Sequence, residues 1–382
     1  MTAVLAAIVS FYVLVNCGII WWFWRALRGA GFVRILVCSL LLLLAVAFPA
    51  LFRNSDDSVL QIALLRTGAF WLGTYFYVFL TILVIGILRR LFTQNRQKDS
   101  PRYLACFIAL ALPLCISIGG WFNASVPVVH EYDITVEAPA PAGLPDGKDS
   151  LTVAAISDMH LGRTITNVRL NRAIDLIAPY NPDLVLFLGD VIDDHILIDT
   201  DGMKAAITRL KPQLGTWGIL GNHEYISGDI GVSLDLLEKG GIRVLRDGWA
   251  APENMLLLAG RDDYEKQRFD GESRKSLPEI LKAVPEEQRA LPLLVLDHQP
   301  RHLEEAENAG AVLQLSGHTH YGQLWPFNLI VDAFYENARG LSARNDTRYI
   351  VSVGAGTWGP PLRNTARPEV LLINLKFRSA NM

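Results

Sequence analysis

Cysteine is missing from this chain after Cys115, although all eight of its histidines lie beyond that position. Without cysteine, the later part of the chain can form neither a disulfide bond nor a thiolate metal site. A metal bound there would have to be held by carboxylate, amide and imidazole groups. Such mixed ligands suit Mn, Fe, Zn or Co and do not select among them.

An excess of charge of one sign is also lacking, since the 382 residues carry a formal net charge of only −3. The histidine-bearing part shows no strong basic excess, so we expect no nucleic-acid partner and disfavour a nuclease. The sequence has no glycine-rich nucleotide loop and no nucleophile elbow, which argues against a kinase and a serine hydrolase. The composition indicates no oligomeric state.

Long apolar segments occur only within residues 1–122, for which we predict an all-α transmembrane region. A membrane-spanning helix needs about 20 apolar residues. The four candidate spans are residues 3–24, 35–51, 67–88 and 103–121, of which the second is short and contains Pro49. The first lacks a basic start and ends in Trp21-Trp-Phe-Trp24, which suits an interfacial aromatic belt better than a cleaved signal peptide.

The basic residues of the predicted connections indicate how the spans are oriented. Positive charge is concentrated in the first and third connections, at Arg25, Arg28, Arg34, Arg89, Arg90, Arg96, Lys98 and Arg102. The positive-inside rule places such connections in the cytoplasm. Four spans then leave both termini and the histidine-bearing part on the outer, periplasmic or extracellular, face. If one segment does not span, the side is reversed.

Residues 123–150 are predicted to form a connector, because the Ala-Pro-Ala-Pro-Ala run at 138–142 favours an extended spacer. In residues 151–382, short apolar strands alternate with segments of helical periodicity such as 166–178. We expect this part to be one sizeable α/β domain.

Five of the predicted strands end abruptly in polar residues. The polar groups are Asp158-Met-His160, Gly189-Asp190, Gly221-Asn222-His223-Glu224, Asp297-His298 and Gly317-His318-Thr-His320. In an α/β sheet the ligand crevice lies outside the carboxyl ends of the strands, so these groups can converge on one site. Taken singly, each has an ordinary explanation, with His298 as a capped strand end and Asp193 as a solvated turn.

In this order, and with Asp193 three residues after Asp190, the motifs closely resemble the calcineurin-like metallophosphoesterase superfamily over about residues 151–375. The run Gly317-His-Thr-His-Tyr-Gly-Gln323, with Arg363 downstream, is similar to the branch of small bacterial members that are often membrane-attached. The resemblance implies a four-layer α/β/β/α sandwich with a dinuclear metal site.

Carried over residue by residue, the resemblance implies seven metal ligands. Two divalent cations would share Asp190 as a bridge, because a carboxylate has two oxygens. The remaining ligands form two sets, which are Asp158, His160 and His320 for one cation and Asn222, His298 and His318 for the other. A hydroxide held between two such cations would attack the phosphorus atom.

The resemblance also implies catalytic roles for two residues outside the ligand set. His223 is similar to the histidine that protonates the leaving-group oxygen, and Asp193 to the carboxylate that orients this histidine. Asp194 stands where the superfamily's protein phosphatases carry arginine, and an acid there should repel the phosphate of a phosphoprotein.

These residues favour an enzyme, a membrane-anchored phosphoesterase that hydrolyses a phosphate ester or pyrophosphate bond. We expect a lipid-linked or envelope substrate, with a soluble nucleotide or other small phosphate ester as the alternative. A non-catalytic membrane receptor on this fold is less favoured, because a binding module has no need to keep both His223 and Asp193.

Arg363 is the candidate for substrate binding. It follows a strand and the turn-rich run 354–361, and its planar guanidinium suits a phosphate bidentately. Trp358 in the same loop, with Trp325 and Phe327, is expected to reach the lipid interface, where amphipathic rings are favoured.

Overall fold

The structure is a computed structural model that describes residues 2–52, 58–92, 102–138, 140–141, 144, 148–195 and 198–378. It divides into two compact units, each described by itself below. The first comprises residues 1–122 with 359–362, and the second residues 123–358 with 363–382.

Four long helices dominate the described part of the first unit. They are Thr2–Ala26 (α1), Gly31–Leu51 (α2), Val59–Phe92 (α3) and Arg102–Ser125 (α4). Among the described residues, these four are long and apolar enough to cross a membrane. Each contains one predicted span and is longer than it, because helical hydrogen bonding continues past the apolar stretch that the sequence pattern marks.

Most of the described basic residues assigned to the connections lie inside helices in the structure. They are Arg25 in α1, Arg34 in α2, Arg89 and Arg90 in α3, and Arg102 in α4. Pro49 is accommodated in the last turn of α2. Arg96 and Lys98, on which the orientation argument partly rests, lie outside the described residues.

Side chains from all four helices form one apolar cluster, which includes Ile19, Leu41, Val78 and Ala109. Two hydrogen bonds between helices satisfy buried polar groups in this unit. Nε1 of Trp71 donates to Oδ1 of Asn16 at 3.0 Å, and Oγ1 of Thr74 donates to Oγ of Ser117 at 2.9 Å. Hydrogen bonds of this kind stabilise helix association where no water is present to compete.

Two six-stranded sheets form the centre of the second unit within the described residues. Across the first sheet the strands are Val128–Val136 (β1), Glu369–Phe377 (β12), Ser150–Ile156 (β2), Leu184–Leu188 (β3), Thr216–Ile219 (β4) and Arg243–Val244 (β5). Across the second they are Gly340–Arg344 (β10), Thr347–Val351 (β11), Leu313–Ser316 (β9), Leu293–Leu296 (β8), Leu257–Gly260 (β7) and Gly248–Ala250 (β6). Strands β2 to β5 are parallel, as are β7, β8, β9 and β11.

Helices connect most of these strands. They are Asn167–Ile177 (α5), Thr200–Thr208 (α6), Asn222–Ile226 (α7), Ile230–Lys239 (α8), Lys266–Asp270 (α9), Leu277–Lys282 (α10), Leu303–Asn308 (α11) and Phe327–Phe334 (α12). Short 3-10 helices occur at Ala178–Tyr180, Pro252–Asn254, Glu286–Gln288 and His320–Gly322.

Three apolar clusters define the layers of this unit. The first lies between the sheets and contains Leu186 of β3 and Leu294 of β8. The second packs α5, α6 and α8 on the outer side of the first sheet, and the third packs α10 and α11 on the outer side of the second sheet. The predicted four-layer α/β/β/α sandwich, preceded by four long apolar helices, is therefore confirmed.

The predicted connector at 123–150 is not a spacer throughout, because it contains β1. This strand pairs in parallel with β12, in a register that places Val128 opposite Glu369 and Val136 opposite Phe377. Alternation of apolar residues from Val128 to Val136 is the signal for a half-buried strand. The Ala-Pro run at 138–142 lies partly outside the described residues.

Candidate metal centre

The polar groups at the strand ends are positioned by tight turns of the backbone. Gly189 O accepts a hydrogen bond from Asp158 N at 3.1 Å, and Asp190 O accepts one from His160 N at 2.9 Å, so the loops after β2 and β3 are joined. Five predicted ligands have a positive φ, namely Asp158, His160, Asp190, His318 and His320, with values between 46° and 72°. Left-handed backbone costs about 1–2 kcal/mol for an ordinary residue and is concentrated at functional sites.

The first predicted ligand set is brought together and fully enclosed. Nε2 of His160 lies 3.0 Å from Nε2 of His320, and the latter lies 3.3 Å from Oδ1 of Asp158. The three ligand atoms are close enough to hold one metal ion. Asp158 is itself oriented, because Ser157 Oγ donates to its Oδ2 at 2.5 Å and His318 N donates to its Oδ1 at 3.0 Å.

The second set lies beside the first. Nε2 of His298 is 3.1 Å from Oδ2 of Asp190, and Nδ1 of His318 is 2.8 Å from Oδ1 of Asn222. Asp190, His298 and His318 again offer atoms close enough for one ion. Oδ2 of Asp190 is also 3.9 Å from Nε2 of His160, so this one oxygen lies within reach of both sets.

The environment of His298 indicates that a cation fits here. Its Nδ1 donates to Leu188 O at 2.7 Å, which directs Nε2 into the site. Among the described residues, this buried Nε2 has no hydrogen-bond partner, although the Asp190 carboxylate is adjacent. Burial alone would lower the pKa of His298, but the carboxylates of Asp190 and Asp158 raise it well above the usual value. A metal cation would take the place of the proton that these carboxylates attract.

Glu224 is a functional residue that the sequence analysis left without a role. Its Oε1 accepts from Val191 N and Ile192 N, and its Oε2 from Asp190 N and Gly221 N, at 2.7–3.0 Å. Burial, with the nearby Asp190 carboxylate, raises the pKa of Glu224 to about 7. Glu224 thus fixes the two loops that carry Asp190 and Asn222. The signal was its place in Gly221-Asn-His-Glu224, directly after two predicted site residues.

The predicted acid and its orienting group are also together. Oδ1 of Asp193 is 2.6 Å from Nδ1 of His223 and 3.4 Å from Nδ1 of His160. Burial would lower the pKa of His223, but the Asp190 and Asp193 carboxylates raise it to about 9. Burial would raise the pKa of Asp193, but hydrogen bonds to His160 and His223 lower it instead. The pair therefore favours a charged imidazolium beside a carboxylate.

Arg363, the candidate for substrate binding, is buried beside one of the predicted metal ligands. Its side chain is 0% exposed, Nε donates to Gly356 O at 2.9 Å, and Nη2 lies 2.8 Å from Nδ1 of His320. Because Nε2 of His320 is the atom directed at Asp158, the guanidinium lies on the opposite side of the imidazole ring. Nη1 of Arg363 is buried and has no hydrogen-bond partner among the described residues. The expectation that Arg363 grips a substrate phosphate stays a prediction, and the contact with His320 offers a positioning role beside it.

The remaining histidines lie outside the two ligand sets. His130 and His302 are exposed, and His195 contacts Ser233 Oγ at 2.8 Å. Asp194, the departure from the protein-phosphatase pattern, accepts from Nε of Arg163 at 3.3 Å.

The fold and the two clusters of carboxylate and imidazole groups are those of a metal-dependent phosphoesterase. The calcineurin-like phosphoesterase family matches residues 151–322. The "Uncharacterized metallophosphoesterase" of Aquifex aeolicus is 34% identical over 250 residues, which cover 65% of this chain and 91% of that relative. The "Transmembrane protein with metallophosphoesterase domain" of Danio rerio is 29% identical over 365 residues, 90% of this chain and 80% of that relative. This chain therefore belongs to the calcineurin-like phosphoesterase family.

Proposed function

We propose that this phosphoesterase holds two divalent cations at the seven residues predicted from the sequence. One observation carries the proposal, which is that Oδ2 of Asp190 lies 3.9 Å from His160 Nε2 and 3.1 Å from His298 Nε2. A single carboxylate oxygen is thus placed between two ligand sets. The proposed ligands are Asp158, His160, Asp190, Asn222, His298, His318 and His320. Mn, Fe, Zn and Co all suit these ligands.

The cations would supply positive charge that polarises the phosphate ester and activates water as a nucleophile. The protein's own residues provide the remaining steps. Asp193 accepts the hydrogen bond of His223 Nδ1 at 2.6 Å, which leaves Nε2 of the imidazolium as the proton donor. His223 would protonate the departing oxygen. The backbone N–H of His223 donates a hydrogen bond to Oδ1 of Asp190 at 2.8 Å. That contact ties the acid to the proposed bridging group.

For the substrate, we propose a phosphate ester or pyrophosphate that is lipid-linked or part of the cell envelope. The four helices able to cross a membrane support a multi-pass protein with residues 1–122 as its transmembrane region. The catalytic domain then extends from about residue 123 and includes β1. We place this domain on the outer face, on the positive-inside argument. A soluble nucleotide or other small phosphate ester is the second candidate, because the ligand sets themselves recognise only a phosphate.

Hydrolysis assays on the full-length protein in lipid nanodiscs test the proposal. The panel contains p-nitrophenyl phosphate, its phosphodiester, a nucleoside diphosphate, a nucleotide-sugar lipid and a phosphatidic acid, each with Mn, Fe, Zn or Co. We expect metal-dependent hydrolysis that is lost in Asp190→Ala and kept in Asp235→Ala, a matched change on the exposed side of α8.

A lipid-linked substrate is supported if turnover of the nucleotide-sugar lipid or phosphatidic acid exceeds that of the soluble esters. If the protein prefers a soluble ester, the proposal of a lipid-linked substrate is wrong, and the proposal of phosphoester hydrolysis still stands. Metal-dependent hydrolysis that persists in Asp190→Ala would overturn the assignment of the centre.

A further inference from the structure

Helix α12, Phe327–Phe334, turns an apolar side outward. Phe327, Ile330 and Phe334 follow at helical spacing and therefore share one side. They are 38%, 52% and 81% exposed, and Leu329 is 59% exposed. Of the eight described residues of this helix, none is buried.

Two polar residues of α12 contact the short 3-10 helix His320–Gly322 that precedes it. Asp332 Oδ2 accepts a hydrogen bond from the hydroxyl of Tyr321 at 3.0 Å. Oδ1 of Asn328 is buried, and the backbone of this residue approaches Gly322 so closely that a Cβ there would lie 2.4 Å from Asn328 N. Asn328 and Asp332 are four residues apart and thus on the same side of the helix. An ordinary surface helix packs its apolar side inward, whereas the large apolar side chains of α12 are exposed.

Two indole rings extend the apolar area beside α12. Trp325 precedes the helix and Trp358 lies in the loop after β11, and each is 53% exposed. The ring of Trp358 is 5.6 Å from that of His223, and Tyr335, which follows the helix, is 6.2 Å from His318. We name Trp325, Phe327, Ile330, Phe334 and Trp358 the outward apolar surface. It borders the candidate metal centre.

Two kinds of partner could cover the outward apolar surface, a lipid bilayer or another protein surface such as a second copy of this chain. A helix of eight residues is only about 12 Å long. One side of so short a helix offers much less area than the about 800 Å² that each partner buries in a standard protein interface. Short apolar helices with flanking tryptophans are typical of elements that lie in the headgroup region of a membrane. The chain also carries four helices able to cross a membrane, and with these as the proposed transmembrane region a bilayer lies beside the protein.

We propose that the outward apolar surface inserts into the interfacial layer of the bilayer, with α12 parallel to the membrane plane. The proposal concerns membrane contact alone and holds for a lipid or a soluble substrate. Its consequence is that the metal centre opens beside the lipid headgroups. Asn328 and Asp332 lie on a different side of the helix, where the hydroxyl of Tyr321 donates to Asp332.

Site-specific fluorescence in vesicles tests the proposal on the full chain. Cys17, Cys38, Cys106 and Cys115 are replaced by alanine, and a single cysteine at Ile330 or Phe334 is labelled with an environment-sensitive nitrobenzoxadiazole. Val232 on α8, 39% exposed, is the matched control position in the same unit. The vesicles contain phosphatidylcholine and phosphatidylglycerol, with or without phosphatidylcholine that carries a doxyl quencher near its headgroup.

We expect labels at Ile330 and Phe334 to emit at shorter wavelength and to be quenched several-fold more by doxyl lipid than the label at Val232. Adding Ile330→Glu should reduce the quenching at Phe334, because a carboxylate is expelled from the apolar layer. Equal quenching at all three positions overturns the proposal. The proposal is also overturned if doxyl lipid does not quench the labels while their emission changes with the protein-to-lipid ratio. That result would identify a second copy of the chain as the partner. Neither readout depends on hydrolysis, so a failure here leaves the proposed activity standing.

Discussion

Oδ1 of Asp193 lies 2.6 Å from Nδ1 of His223, and the same oxygen lies 3.4 Å from Nδ1 of His160. One carboxylate therefore contacts both the proposed acid and a proposed metal ligand. Because the bond to His223 is the shorter, it determines which nitrogen of that ring points into the site. The ring of His223 stands nearly perpendicular to that of His160, at 88°, with centroids 4.6 Å apart. The ring of the proposed acid is therefore oriented differently from the ring of the proposed metal ligand beside it.

His223→Gln should lower turnover by about 10²–10⁴, the usual contribution of general acid catalysis, while metal content is unchanged. The loss should be smaller for p-nitrophenyl phosphate than for an alkyl phosphate, since p-nitrophenolate leaves without protonation. Asp193→Asn should show the same dependence on the leaving group. Steady-state kinetics on both esters, with metal analysis of each preparation, provide the test. An equal loss on good and poor leaving groups would exclude His223 as the acid.

Glu224→Gln should weaken metal binding although Glu224 is not a proposed ligand. The amide nitrogen of glutamine would meet two backbone donors, Asp190 N and Gly221 N, which now bond Oε2 at 3.0 and 2.7 Å. A buried donor left without an acceptor costs about 1–3 kcal/mol. We expect titration calorimetry with Mn to show lower affinity, and thermal unfolding to begin at lower temperature.

Glu238→Gln is the control for this change, because Glu238 is an exposed residue of α8. It should leave both the affinity and the unfolding temperature at wild-type values. A Glu224→Gln protein that binds Mn as tightly as wild type would show that the two loops do not need this carboxylate.

The fold was predictable because local signals agree with it. Apolar strands that end in Asp, Asn or His specify both the sheet and the edge at which a site lies. The convergence of the predicted ligands followed from the same rule, although their assignment to two cations stays a prediction. β1 was missed because proline-rich sequence just after it favoured a spacer over the alternation at 128–136.

Other features depend on contacts between residues distant in sequence, which a single sequence does not show. The turn-rich run before Arg363 predicts a surface residue that binds phosphate. In the structure Arg363 is buried and contacts His320, which lies 43 residues earlier in the chain. Glu224 receives hydrogen bonds from a loop more than 30 residues earlier. The pattern of α12 indicates an amphipathic helix, but only the structure shows that its large apolar side chains are exposed.

Arg363→Met should act on the metal centre and not on substrate selection. Methionine keeps much of the volume while removing the charge and the donor that lies 2.8 Å from Nδ1 of His320. We expect altered metal affinity and a lower unfolding temperature, with the Michaelis constants for lipid-linked and soluble esters changed by the same factor. Arg172→Met, on an exposed stretch of α5, is the control. A selective rise in the Michaelis constant for the lipid-linked ester would contradict this prediction and support a substrate-binding role for Arg363.

The contact between His130 and Glu369, which joins β1 to β12, should make stability depend on pH. Its hydrogen bond to Glu369 raises the pKa of His130 above the unfolded value of about 6.5. The contribution to stability is therefore full below that value and is lost as pH rises through the raised pKa. It should be small, because the imidazole is half exposed. The difference in unfolding temperature between wild type and His130→Gln should be largest at acid pH and vanish at alkaline pH; a constant difference contradicts the argument.

Removal of metal should destabilise the second unit as well as stop hydrolysis. Asp158 and Asp190 are buried carboxylates, and without cations much of the balance of their charge falls to neighbouring histidines such as His298. A ligand that binds only the folded state stabilises it by about 2.7 kcal/mol at a concentration 100 times its dissociation constant. We therefore expect a chelator to lower the unfolding temperature, and added Mn to restore it.

Asp190→Ala identifies the source of that effect. It removes the one group within reach of both ligand sets, so it should abolish the difference in unfolding temperature between chelated and Mn-saturated protein. Asp235→Ala, in an exposed pair with Lys239, should keep the full difference. Metal analysis of the two variants then gives the stoichiometry directly. Two bound ions in Asp190→Ala, with an undiminished response to the chelator, would show that the cations are held without a bridge and that the ligand sets must be reassigned.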